Sequence, residues 1–145
     1  MRTPETFITQ SRNNVLIVDD DVDDRKMIEE TLKVHLCSKE YIHFDNGQKL
    51  LEYLYKIIAH QYPAFIILDF NMPIKNGEET LAEIKRHVEL RMIPVVIFTT
   101  SYKSKYRDLY KLGANCVLQK PSEYLEVMEL LKALSFIYCM HGAVD

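Results

Sequence analysis

Five short apolar runs punctuate the chain: Val15 to Val18, Tyr41 to Phe44, Phe65 to Leu68, Val95 to Phe98 and Cys116 to Leu118. Each is rich in β-branched or aromatic residues, and each is followed by a turn and a longer stretch of helical period, which predicts alternating strands and helices. Behind the first run Ile28, Leu32 and Leu36 recur every fourth residue, and behind the second Leu50, Leu51, Leu54, Ile57 and Ile58 make a wide apolar stripe. The third is followed by Leu81, Ile84 and Val88, the fourth by Tyr106, Leu109, Tyr110 and Leu112, and the fifth by Leu125, Met128, Leu131 and Leu134. The unit is a βα pair repeated five times.

Phe65 to Leu68 and Val95 to Phe98 are unbroken apolar runs, as expected of central parallel strands covered by helices on both faces, whereas Tyr41 to Phe44 alternates and suits an edge. Asn46-Gly47 could form a hairpin turn, but helical periodicity follows it and no strand does, so it predicts a helix start. Asn76-Gly77 reads the same way, with Glu78 and Glu79 in the first turn where the helix dipole favours acids. Pro63 and Pro94 stand just before strands, where a missing N–H costs little. Five βα units cannot close an eight-stranded barrel, so the expected fold is α/β, a doubly wound (βα)5 open parallel sheet with right-handed crossovers. The ligand crevice of such a sheet lies at the carboxyl ends of its strands, where the strand order reverses.

A length of 145 residues with 48% hydrophobic and 27% charged positions fits one compact domain, expected over residues 14–138 with tails at 1–13 and 139–145. The formal net charge of −3 gives no reason to expect direct nucleic-acid binding. Apolar runs of at most five residues are far too short for a membrane span, and the first residues hold no signal-peptide core, so a cytoplasmic location is expected. Cys37, Cys116 and Cys139 are odd in number and widely separated, which favours reduced thiols over a disulfide framework or a zinc site.

The chemistry gathers at the strand ends. The first strand runs into Asp19, Asp20 and Asp21, with Asp23 and Asp24 close behind. The last three suit a solvated helix N-terminus. Asp19 and Asp20 instead end an apolar strand, and Asp69, ending the third, should face them across the crevice. Carboxylates about 4 Å apart repel by roughly 4 kcal/mol at an effective dielectric near 20, so three converging ones invite a divalent cation or raised pKa values. Oxygen-only ligands suit Mg2+. The fourth strand ends in Thr99, Thr100 and Ser101, and the fifth in Lys120-Pro121. A carboxylate nucleophile beside a cation site, a hydroxyl and an ammonium is what aspartyl-phosphate chemistry requires.

The segments VLIVDDD, ILDFNMP, NG, PVVIFTTS and LQKPS, in this order and spacing, resemble the receiver domain of two-component response regulators, over about residues 14 to 138. Small stand-alone receivers that partner phytochrome-like histidine kinases are the nearest likeness. The resemblance implies a flavodoxin-like strand order 2-1-3-4-5, Asp69 as phospho-acceptor, and Asp20 and Asp19 as direct and water-mediated Mg2+ ligands. It further implies a metal ligand in the backbone carbonyl of Asn71, a switch hydroxyl on Thr99, a small residue at Thr100, a phosphoryl-pairing Lys120, and a cis bond to Pro121. The implied partner is a sensor histidine kinase or phosphotransfer protein, and the protein would not be a turnover enzyme.

One position departs from the pattern: Val117 stands where the family often has an aromatic switch residue. That shifts the expected signal route to the loop after Thr99 and to Tyr102, Tyr106 and Tyr110. Phe136, Ile137, Tyr138 and Met140 make an apolar chain end that could pack on a second copy, through a face of the fourth helix, fifth strand and fifth helix. Among rivals, a phosphatase with its nucleophile on the first strand, in a DxDx[TV] pattern, fails because the best nucleophile lies on the third. A nucleotide-binding module fails because the glycines stand alone at 47, 77, 113 and 142. A phosphorylation-independent interaction module of the same fold stays as the alternative.

Overall fold

A computed structural model describes residues 14–35, 40–100, 105–120 and 123–143. The expectations for residues 1–13, Leu36, Cys37, Ser101, Tyr102 and Pro121, and for the side chains of Ile137, Tyr138, Cys139 and Met140, lie outside the described residues.

The five strands are β1 (Asn14–Val18), β2 (Glu40–Phe44), β3 (Phe65–Asp69), β4 (Val95–Thr99) and β5 (Cys116–Gln119). They form one parallel sheet in the order β2-β1-β3-β4-β5, the arrangement expected of a doubly wound (βα)5 fold. Every residue of β3 and β4 is buried, while β2 is exposed or half-buried at an edge, which is the difference their apolar patterns predict.

The helices are α1 (Val22–His35), α2 (Gly47–Lys56), α3 (Gly77–Arg86), α4 (Tyr106–Lys111) and α5 (Tyr124–Ala143). Strand alternation divides the core in two. Leu16, Val18, Ile66, Leu68, Val95, Ile97 and Val117 meet α2, α3 and α4 through Leu50, Leu51, Leu54, Leu81, Ile84 and Leu109. On the opposite face Val15, Ile17, Phe65, Ile67, Val96 and Phe98 meet α1 and α5 through Ile28, Leu32, Val127, Leu131 and Leu134.

Both Asn-Gly pairs start helices. The Asn46 side-chain oxygen accepts the Lys49 N–H at 2.9 Å, and Asn76 and Glu79 form a reciprocal capping box of 2.9 and 3.3 Å. Gly77 is required by close approach. A Cβ there would lie 2.5 Å from the Asp69 carbonyl oxygen and 2.7 Å from Phe70 Cα, both backbone atoms that cannot yield without moving the end of β3. Gly77→Ala is therefore expected to cost about 2 kcal/mol, as overpacking does, read as a lower urea midpoint, and to slow any reaction at Asp69.

Three positions and one helix limit differ from the periodic pattern. The chain leaves α3 at His87, so Val88 is 70% exposed, and Leu90 of the following 3-10 turn (Leu90–Met92) fills the core instead. Ile58 lies beyond the end of α2, after Ile57 turns the chain extended, and is exposed. In α5 the buried row is Val127, Leu131 and Leu134, one register away from Leu125, which is 72% exposed. That helix also continues through Ala143 rather than giving way to a tail near residue 139, because 139–141 carry no proline or glycine and the first glycine is Gly142.

Candidate functional site

The register places the site. Val18 lies opposite Leu68 in neighbouring strands, so Asp19, the next residue, comes level with Asp69, and β4 brings Phe98 opposite Asp69 with Thr99 one step beyond. Asp19 and Asp69 are buried although charged, and Thr99 is 0% exposed. Asp20 and Thr100 are exposed at the rim, as is Asn71.

Local hydrogen bonds fix the acidic loop. Asp19 Oδ1 accepts the Asp21 N–H at 2.9 Å, its N–H donates to the Phe44 carbonyl at 3.1 Å, and its carbonyl accepts from the Arg25 guanidinium. Asp21 Oδ1 in turn accepts the N–H groups of Asp23 and Asp24 at 2.9 and 3.3 Å, which makes Asp21 the cap of α1, as the sequence suggests.

Ligand oxygens of Asp19, Asp20 and Asp69 all lie within 4.8 Å of one another. Lys120 closes the crevice from β5. Its Nζ lies 2.7 Å from Asp19 Oδ2, 3.4 Å from Asp69 Oδ1 and 3.4 Å from Asp24 Oδ2. Burial pushes the Asp69 carboxyl up to about 6, the Asp19 charge adds to the rise, and Lys120 opposes it. Burial alone would favour neutral Lys120, but Asp19 above all, then Asp69 and Asp24, holds its ammonium well above the usual lysine range. Asp69 is thus largely ionised at neutral pH, and Lys120 is charged.

Sequence reasoning foresaw Asp19, Asp20, Asp69 and Lys120, and the fold brings them together. It missed Asp24, which reads as one more acid of a helix start; only the fold, which sets Lys120 3.4 Å from it, reveals its partner. The arrangement offers a nucleophilic carboxylate, an oxygen-only donor set that fits a hard divalent cation, and a fixed positive charge.

At the usual switch position Val117 is buried and aliphatic, and its N–H donates to the Tyr110 hydroxyl at 3.0 Å. The Tyr106 hydroxyl is buried and has no hydrogen-bond partner among the described residues. Cys116 is a free thiol whose pKa burial raises. Among the described residues no helix is long and apolar enough to cross a membrane.

Residues 15–132 match the family described as the response regulator receiver domain. The chain is 32% identical over 124 residues to the response regulator Rcp1 of Synechocystis sp., covering 83% of this chain and 84% of that protein. Among solved structures, the Mn2+-bound form of Rcp1 is similar with a TM-score of 0.79 and 31% identity, over 88% of this chain and 95% of that one. The phosphorylated cyanobacterial phytochrome response regulator RcpA also gives a TM-score of 0.79, with 28% identity over 88% of this chain and 94% of that one. Receiver domains are signalling proteins that partner histidine kinases or phosphotransfer proteins and bind Mg2+ or Mn2+ at an acidic cluster. On sequence match, strand order and strand-end chemistry together, this chain belongs to the response regulator receiver family.

Proposed function

We propose that this protein accepts a phosphoryl group from a phosphohistidine, on a sensor histidine kinase or phosphotransfer protein, onto Asp69 in a Mg2+-dependent reaction. One observation carries the reading: a buried carboxylate, ionised above a pH of about 6, shares its crevice with two further carboxylates and an ammonium 3.4 Å away. An Asp69 oxygen attacks phosphorus, the P–N bond breaks, and the imidazole leaves with its electron pair and takes up a proton. Lys120 pairs with the phosphoryl oxygens as charge develops on them, and the Thr99 hydroxyl donates a hydrogen bond to one. Asp19, Asp20, Asp69 and the Asn71 carbonyl would hold Mg2+, which supplies neutralising charge to the same oxygens.

The signal then passes as a conformational or oligomeric change. With Val117 unable to swing, the route runs from Thr99 into α4, which carries Tyr106 and Tyr110, and on to a partner or a second copy at the face of α4, β5 and α5; Tyr110 of α4 and Leu125 and Phe136 of α5 are exposed. Intact-mass spectrometry with a small phosphodonor, with and without Mg2+, tests the chemistry. A single Mg2+-dependent phosphoryl adduct, absent in Asp69→Asn, is expected. No adduct despite Mg2+ binding would leave the phosphorylation-independent interaction module as the better reading.

A further inference from the structure

The ammonium of Lys120 faces three carboxylates, and they are not equivalent. Asp19, at 2.7 Å, and Asp69, at 3.4 Å, both contribute oxygens to the close trio that fits a divalent cation. Asp24, also at 3.4 Å, is outside that trio. It sits in the first turn of α1, and its N–H is tied to the cap residue Asp21, so the helix rather than the crevice fixes its place. Its side chain is part-exposed, whereas that of Asp19 is buried.

The consequence follows from charge balance, and it rests on the functional reading above. Asp19 is the closest ion-pair partner of Lys120, through Oδ2, and is also one of the three carboxylates of the close trio. When Asp19 turns to a cation, Lys120 loses its best partner just as a second positive charge enters the crevice, and like charges at such range repel strongly. We propose that Asp24 is a positioning residue for Lys120: it gives the ammonium a partner outside the metal-binding trio, so that Asp19 is released to the cation while the lysine stays paired and at hand for the phosphoryl group. Asp24 thereby couples the metal site to the lysine while touching neither metal nor phosphoryl group.

A double-mutant cycle on Mg2+ affinity, measured by calorimetry on the full chain, separates this role from that of a distant charge. Asp24→Asn is expected to weaken Mg2+ binding about tenfold when Lys120 is present, but only about two- to threefold in a Lys120→Met background, where the general loss of one negative charge is all that remains. Asp24→Glu should restore most of the affinity. Equal weakening in both backgrounds overturns the proposal. A second measurement does not depend on the folding of the Lys120→Met protein: the NMR signal of the Lys120 side-chain ammonium in Mg2+-saturated protein. It should persist in the parent and in Asp24→Glu and vanish in Asp24→Asn, since an unpaired ammonium exchanges its protons with water too fast to be seen. Its persistence in Asp24→Asn would also overturn the proposal. A parent chain that binds no Mg2+ would remove the functional reading and this inference with it, whereas a null cycle in a chain that binds Mg2+ removes this inference alone.

Discussion

In EDTA at pH 7.5, Asp69→Asn is expected to be more stable than the parent protein by about 3 kcal/mol. The Asp69 carboxyl titrates near 6 in the folded protein against an ordinary 3.8, because burial and the neighbouring Asp19 charge disfavour its ionised form. An acid with a raised folded-state pKa keeps its proton longer folded than unfolded. Stability therefore falls as pH climbs from about 4 to about 6, by roughly 1.4 kcal/mol for each step of one in pH, and is level above. The asparagine variant lacks this slope, so the two proteins should have similar urea midpoints at pH 4 and diverge by pH 6.5. Parallel pH profiles would show that Asp69 titrates like a surface carboxylate. The same property bears on reactivity: the acceptor carries its charge at neutral pH only by maintaining an unfavourable electrostatic state that a bound cation relieves.

Lys120→Met acts in the opposite sense. It removes the one cation found among Asp19, Asp24 and Asp69 in the described structure, and leaves Asp19 and Asp69 buried without compensation. Breaking a buried ion pair from one side typically costs about 3 kcal/mol or more, so at pH 7.5 in EDTA the variant should unfold at markedly lower urea. Protonation or metal binding relieves the same repulsion, hence most of the loss should return at pH 5 or on adding Mg2+. Combining Lys120→Met with Asp69→Asn should cost less than the two separate effects imply, because they act on one charge cluster. A full loss that neither pH nor Mg2+ recovers would mean that the methylenes of Lys120, rather than its charge, hold the crevice together.

The sequence made the strands legible because burial on both faces leaves no polar positions in β3 and β4, and a continuous apolar run has few other uses. Strand ends were legible for the same reason: Asp19 and Asp69 interrupt such runs abruptly, and the sheet's order sets them side by side. Helix limits were not. Whether α3 ends before Val88, or α5 turns Val127 rather than Leu125 inward, depends on where each helix meets the sheet, and local periodicity admits both registers. Asp24 was invisible for a related reason. Its partner Lys120 is distant in the chain, and three acids near one helix start look alike until the fold selects one of them.

The bond between Tyr110 and Val117 also bears on how the sheet ends. β5 is an edge strand, and the Val117 N–H that points away from β4 is taken by the Tyr110 hydroxyl. An outward row of free donors is a template on which a foreign strand can add, a route to domain exchange and aggregation. Here a phenol from the adjoining helix occupies one rung of that ladder. Tyr110→Phe would keep the ring and its packing yet hand the donor back, reopening that rung of the sheet's margin.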